Sequence, residues 1–158
     1  MPRSIPPRNR QCPTNPERSR IMAAVRSTGN ASTEKKMASA FRENGIRGWR
    51  RHFPIYLPKV ESRGWLRSFV RPDFVFRAAK IAVFVDGDFW HGNAKRLRIP
   101  KSNREYWVAK ITRNRIRDAE VDQRLRAKGW KVVRLWESSL KERPAQCLSR
   151  VRRALDPT

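Results

Sequence analysis

The chain has 158 residues, with 37 Lys and Arg against 14 Asp and Glu, a formal net charge of +23. That length suits one domain with a real core, no apolar run is long enough to cross a membrane, and Cys12 and Cys147 make neither a disulfide framework nor a zinc motif. The charge exceeds what solubility needs and points to phosphate contact on nucleic acid. A membrane surface is the other polyanion, but the cations are spread along the chain, not gathered on one amphipathic helix. The N-terminus is charged and has no apolar stretch of the signal-peptide kind, so a cytoplasmic protein is expected.

Residues 1–16 hold five prolines with Arg3, Arg8 and Arg10. Such a composition predicts a flexible basic arm, lying along a DNA groove or simply solvated, ahead of a single domain over 17–158. Glu17 to Ser27 predicts a short helix, broken at Thr28-Gly29-Asn30. Ser32 or Thr33 caps a second helix that ends at Gly45, with Met37, Ala40 and Phe41 as its apolar stripe. Glu34 falls in its first turn, where an acid suits the helix dipole. Trp49 to Leu57 predicts a strand, kept from the sheet centre by Pro54 and Pro58. Lys59 to Ser68 reads as an exposed loop.

Two apolar runs then flank Arg77-Ala78-Ala79-Lys80. Closing a hairpin over two or four of these residues gives one register, in which Asp73 faces Phe84 and lies diagonal to Asp86. The two acids then share a face, roughly 7 Å apart at Cα; a three-residue loop would put them on opposite faces. A carboxylate pair beside a basic surface suits a divalent cation such as Mg²⁺, and solvated strand-end acids are the plain alternative.

Phe89, Trp90 and His91 follow at once, then Lys95, Arg96, Arg98, Lys101 and Arg104. Aromatics beside cations are the composition of a nucleic-acid surface; a core Phe and Trp with a solvated basic loop would read the same way. Ser102 or Asn103 caps the longest helix, which runs to Lys128. Trp107, Ile111, Asn114, Asp118, Val121 and Leu125 share one of its faces. A carboxylate in a packed stripe needs a partner or a metal, so Asp118 either pairs with an arginine or points at the strands carrying Asp73 and Asp86. A strand over Lys131–Trp136, a turn opened by Glu137-Ser138-Ser139 and a helix from Pro144 with Leu148, Val151 and Leu155 complete an α/β fold, a mixed central β-sheet flanked by helices.

Pro72-Asp73-Phe74, the run Val83 to His91, Arg104-Glu105-Tyr106-Trp107, Asp118 and Val132 to Glu137 together resemble the very short patch repair (Vsr) DNA mismatch endonucleases, of the PD-(D/E)XK restriction-endonuclease-like superfamily. The resemblance implies a single-strand nick 5′ to the thymine of a T:G mismatch. It implies Asp73 and the backbone carbonyl of Val85 as Mg²⁺ ligands, His91, Asp118 and Glu34 as further active-site residues, and Phe89, Trp90 and Trp107 as a wedge in the DNA. Asp86 stands where the best-known members have a catalytic histidine; it either holds the metal or leaves a proton carrier missing. The family's zinc-ligand positions read Asp88, Asn93, Lys95 and Ser138 here, so no structural zinc is expected. The expected partner is double-stranded, mismatched DNA, with repair proteins as further partners and a monomer as the working form. A nuclease of the same fold with a restriction or defence target, and a DNA-binding protein of weak catalysis, are the other readings. The stretch around residues 58–70 has no clear counterpart in the family.

Overall fold

The computed structural model describes residues 33–58, 68–101 and 103–156. In chain order these form α1 (Thr33–Glu43), β1 (Trp49–Arg51), β2 (Ile55–Tyr56), β3 (Phe69–Val70), β4 (Phe74–Phe76), β5 (Ile81–Asp86), α2 (Arg104–Ala127), β6 (Lys131–Trp136), α3 (Glu137–Glu142) and α4 (Pro144–Leu155). The N-terminal arm, the helix expected over 17–27 and most of the loop expected over 59–68 lie outside the described residues.

The hairpin register is the expected one. Phe74 pairs with Val83, Val75 with Ala82 and Phe76 with Ile81, antiparallel. β1 adds antiparallel to β4, and β6 adds parallel to β5, giving a mixed sheet in the order β1-β4-β5-β6. β4 and β5 are the inner strands. Phe74, Val75, Phe76, Ile81, Ala82 and Val83 are buried, so both sheet faces are covered there, as a near-continuous apolar run requires.

Alternation along β5 divides the core in two. Ile81 and Val83 point to one face, where they meet Met37 and Phe41 of α1, Leu140 of α3, and Cys147, Leu148 and Val151 of α4. Ala82 points to the other, where it meets Leu125 of α2 together with Ile55, Leu57 and Val75. On the first face Phe41, Trp49, Phe74 and Phe76 pack at ring separations of 5.1 to 5.8 Å, close enough for edge-on aromatic attraction beyond simple burial. No helix among the described residues is long and apolar enough to cross a membrane.

Three local expectations need correction. The single strand expected over Trp49–Leu57 is two strands in different sheets: β2 leaves β1 and pairs with β3 as a separate two-stranded ribbon. His52, at φ 49, turns the chain between them. Asn103 occupies the N-cap of α2 but sits at φ 59 and makes no side-chain cap bond. The turn expected at Glu137-Ser138-Ser139 is the first turn of α3. Its Ser138 N–H donates to the Asp88 carboxylate at 3.1 Å, so the acid that satisfies this helix end comes from fifty residues upstream.

Candidate active site

Asp73 precedes β4, and its carboxylate accepts a 2.6 Å hydrogen bond from Val85 N–H of β5. Glu34, in the first turn of α1, is 4% exposed. It forms an ion pair with Arg51 at the end of β1, and His52 Nε2 lies 2.9 Å from its carboxylate. The donor atoms of Glu34, His52 and Asp73 all lie within 4.8 Å of one another. His52 holds a left-handed backbone, sparse for residues with a side chain and typically retained at functional sites, with its N–H donating to Asp73 C=O at 3.3 Å.

Two carboxylates and one imidazole form a donor set that fits a divalent cation, with oxygen donors of the kind Mg²⁺ prefers. The electrostatics agree. Burial pushes the Asp73 carboxyl up to about 6 against the Val85 hydrogen bond, and the negative charge of Glu34 adds to the rise. Such a carboxylate is short of positive charge, and a bound cation would supply it.

A second group sits across Val85. Asp86, at the end of β5, is 5% exposed and accepts from Arg134 Nη1 at 2.8 and 3.0 Å. Arg134 also donates through Nε to Asp122 at 2.9 Å, approaches Asp118 at 3.8 Å and lies over the Phe84 ring at 4.5 Å. Burial raises the Asp86 carboxyl, and Arg134 and His91 only partly offset the rise.

His91 Nδ1 is 2.6 Å from Asp118 Oδ2 and 3.6 Å from Asp86. Burial would raise the Asp118 carboxyl too, but the hydrogen bond and charge of His91, with Arg134 and Arg117, hold it below the ordinary range. A carboxylate on Nδ1 fixes the imidazole so that Nε2 is the nitrogen left for chemistry. Gly92 makes this possible. It sits at φ +68, and a Cβ there would lie 2.8 Å from Ile111 Cγ2 on α2, so only glycine lets the His91 loop approach the helix so closely.

The structure therefore brings His91, Asp118 and Asp86 together, and Asp73 with Glu34. It gathers the two strand acids into separate groups: Asp73 joins Glu34 and His52, and Asp86 is bound to Arg134. Asp118 pairs with His91 and lies beside Arg117 and Arg134, the latter on β6. His52 and Arg134 were not anticipated. His52 is one of only two histidines in the chain, but only the fold places it beside Asp73. Arg134 did carry a signal, a cation flanked by Val132, Val133, Leu135 and Trp136 in β6.

The aromatics cluster. Phe89, Trp90 and Trp107 lie with ring centroids 5.2 to 6.0 Å apart. All three are half-buried, and Asn114 holds the Trp90 carbonyl at 2.9 Å. Lys95, Arg96, Arg98, Lys101 and Arg104 are exposed, although Arg96 is paired with Glu142. Behind the cluster Asp88 accepts from Asn93 Nδ2 at 2.5 Å and from Ser138 Oγ at 2.7 Å, while Lys95 N–H donates to Asn93 at 3.2 Å. These four residues thus tie the loop after β5 to α3 by hydrogen bonds.

Comparison with known proteins gives the family. The family model described as DNA mismatch endonuclease Vsr matches residues 63–96. Type II nicking enzyme V.NmeDIP of Neisseria meningitidis is 47% identical over 89 residues, which covers 55% of this chain and 60% of that protein. Type II nicking enzyme V.NaeI of Lentzea aerocolonigenes is 41% identical over 125 residues, 79% of this chain and 70% of its own length. DNA mismatch endonuclease Vsr of Escherichia coli is 31% identical over 127 residues, 80% of this chain and 72% of its own. With similarity of this degree and extent, the chain belongs to the Vsr family of DNA endonucleases.

Proposed function

We propose that the protein is a Mg²⁺-dependent endonuclease that nicks one strand of duplex DNA 5′ to the thymine of a T:G mismatch. The observation that carries the reading is the adjacency of two groups on either side of Val85: a carboxylate–imidazole cluster of cation-binding chemistry, and a histidine oriented by a half-buried carboxylate. Asp73, with the Val85 carbonyl, would hold the ion, and Glu34 and His52 would border it. A bound divalent ion polarises the phosphodiester and favours ionisation of water at neutral pH. His91, held through Nδ1 by Asp118, presents Nε2 for proton transfer. Asp86 fixes Arg134 and borders His91, a positioning role in place of the proton-carrying one a histidine would have. Phe89, Trp90 and Trp107 would enter the duplex beside the mispair, with Lys95, Arg98, Lys101 and Arg104 on phosphates. The printed name of the Escherichia coli relative supports the mismatch target. The nicking-enzyme names of the two more similar relatives favour a second reading, a nick at another DNA target.

Two variants test this. His91→Ala should lower single-turnover nicking by about 10²- to 10⁴-fold, the usual worth of a positioned acid–base group; retention of the wild-type rate would exclude His91 from proton transfer. Trp90→Ala should weaken binding to a T:G duplex more than to a fully paired one of the same sequence. Equal losses would reject the wedge.

A further inference from the structure

The β2–β3 ribbon has no role in the site described so far, yet it springs from both sides of it. β2 begins three residues after His52, and β3 ends three residues before Asp73. A three-residue connection spans at most about 10 Å, so the ribbon stands beside the cation-binding cluster. Ile55 and Leu57 point inward and are buried; Tyr56 between them is 67% exposed, the most exposed large hydrophobic among the described residues. Its ring rests on Phe69, its cross-strand partner, at 6.1 Å. The exposed Arg71 places its guanidinium over the same Phe69 ring at 5.1 Å. The end of α2 and its C-cap hold the backbone of the ribbon: Lys128 Nζ donates to Tyr56 C=O at 2.8 Å, and Arg124 donates to Pro58 C=O.

We propose that this ribbon is a second DNA contact, with Tyr56 packing its ring against a base or sugar of the flanking duplex and Arg71 pairing with a phosphate. The inference rests on the DNA reading above and extends it to a surface that reading leaves unused. Three observations select DNA as the occupant. The aromatic is outward on a strand whose neighbours are buried, so it is not core. The described ribbon residues, 53–58 and 68–72, contain no acid, and the whole chain is strongly cationic, which fits a polyanion. The ring and the cation share one support, the combination that single rings and guanidinium groups offer to nucleic acid.

The two contacts have different signatures, and salt separates them. Affinity for a labelled duplex is measured by fluorescence anisotropy in chelator over a salt series. Tyr56→Ala should weaken binding about tenfold at every salt concentration, with the slope of log K against log salt unchanged. Arg71→Gln should reduce that slope by about 0.9, one phosphate contact. Tyr56→Phe should stay near wild type, and both exposed-site variants should melt with the parent. Wild-type affinity and slope in both Tyr56→Ala and Arg71→Gln, while the parent binds and nicks DNA, would overturn the proposal. Failure of the parent itself to bind duplex DNA would instead overturn the reading on which the proposal stands, and the proposal with it.

Discussion

Asp73→Asn is expected to abolish nicking and, in the absence of divalent ions, to stabilise the protein at neutral pH. Asparagine keeps an oxygen for the Val85 N–H but brings no negative charge into the pocket with Glu34. Burial, with Glu34 adding to it, holds the wild-type carboxyl at about 6, against an ordinary 3.8. The sign follows from linkage. Because the folded value is raised, the favourable contribution of the protonated acid is complete below pH 3.8 and is lost as pH rises through about 6. Above that the ionised Asp73 costs about 2 kcal/mol after allowance for screening at a half-buried group. Urea unfolding in chelator at pH 5 and pH 7.5 measures this: the difference between Asp73→Asn and wild type should be larger at the higher pH. Millimolar Mg²⁺ should raise the melting temperature of wild type and leave the variant unmoved. A variant less stable than wild type at pH 7.5, or one that responds equally to Mg²⁺, would contradict the account of the pocket.

Arg134→Met is expected to be the most destabilising single change near the site. The guanidinium is the common partner of Asp86, Asp118 and Asp122, and it forks between Asp86 and Asp122 in a way that an ammonium cannot copy. Removing one partner of a buried ion pair leaves the other charge uncompensated, typically about 3 to 5 kcal/mol. Adding Asp86→Asn to Arg134→Met should recover more than 1 kcal/mol of that loss, the coupling expected of residues in one network. Denaturant midpoints of the two single variants and the double variant give the answer. Additive effects would mean that Asp86 and Arg134 are neighbours without energetic connection.

What could be read in advance depended on whether a property was local. The hairpin register followed from loop length and two apolar runs, because pairing alternates with a period of two and one slip would reverse every side chain. The α2 stripe likewise needed only helical spacing, and it placed Asp118 and Asn114 on the packed face. The two carboxylates fared differently. The expected shared face of the two carboxylates needs correction: Asp73 stands just before β4, where its side chain is free to turn, and it turns onto the Val85 N–H and joins Glu34 of α1, apart from Asp86. His52 depends on a positive φ and on β1 lying beside β4, neither of which adjacent residues specify. The α3 start was missed because its stabilising acid, Asp88, is remote in sequence. Arg134 was visible as a cation among Val132, Val133 and Leu135, but its meaning required Asp86 on the neighbouring parallel strand.

The most direct test of the central claim is a nicking assay on three end-labelled duplexes of one sequence, with and without Mg²⁺. One is fully paired, one carries T:G, and one carries a different mismatch. A Mg²⁺-dependent cut in one strand, 5′ to the mispaired thymine, is expected in the T:G duplex alone. Equal cutting of all three duplexes, or binding with no cut under any divalent ion, would contradict it.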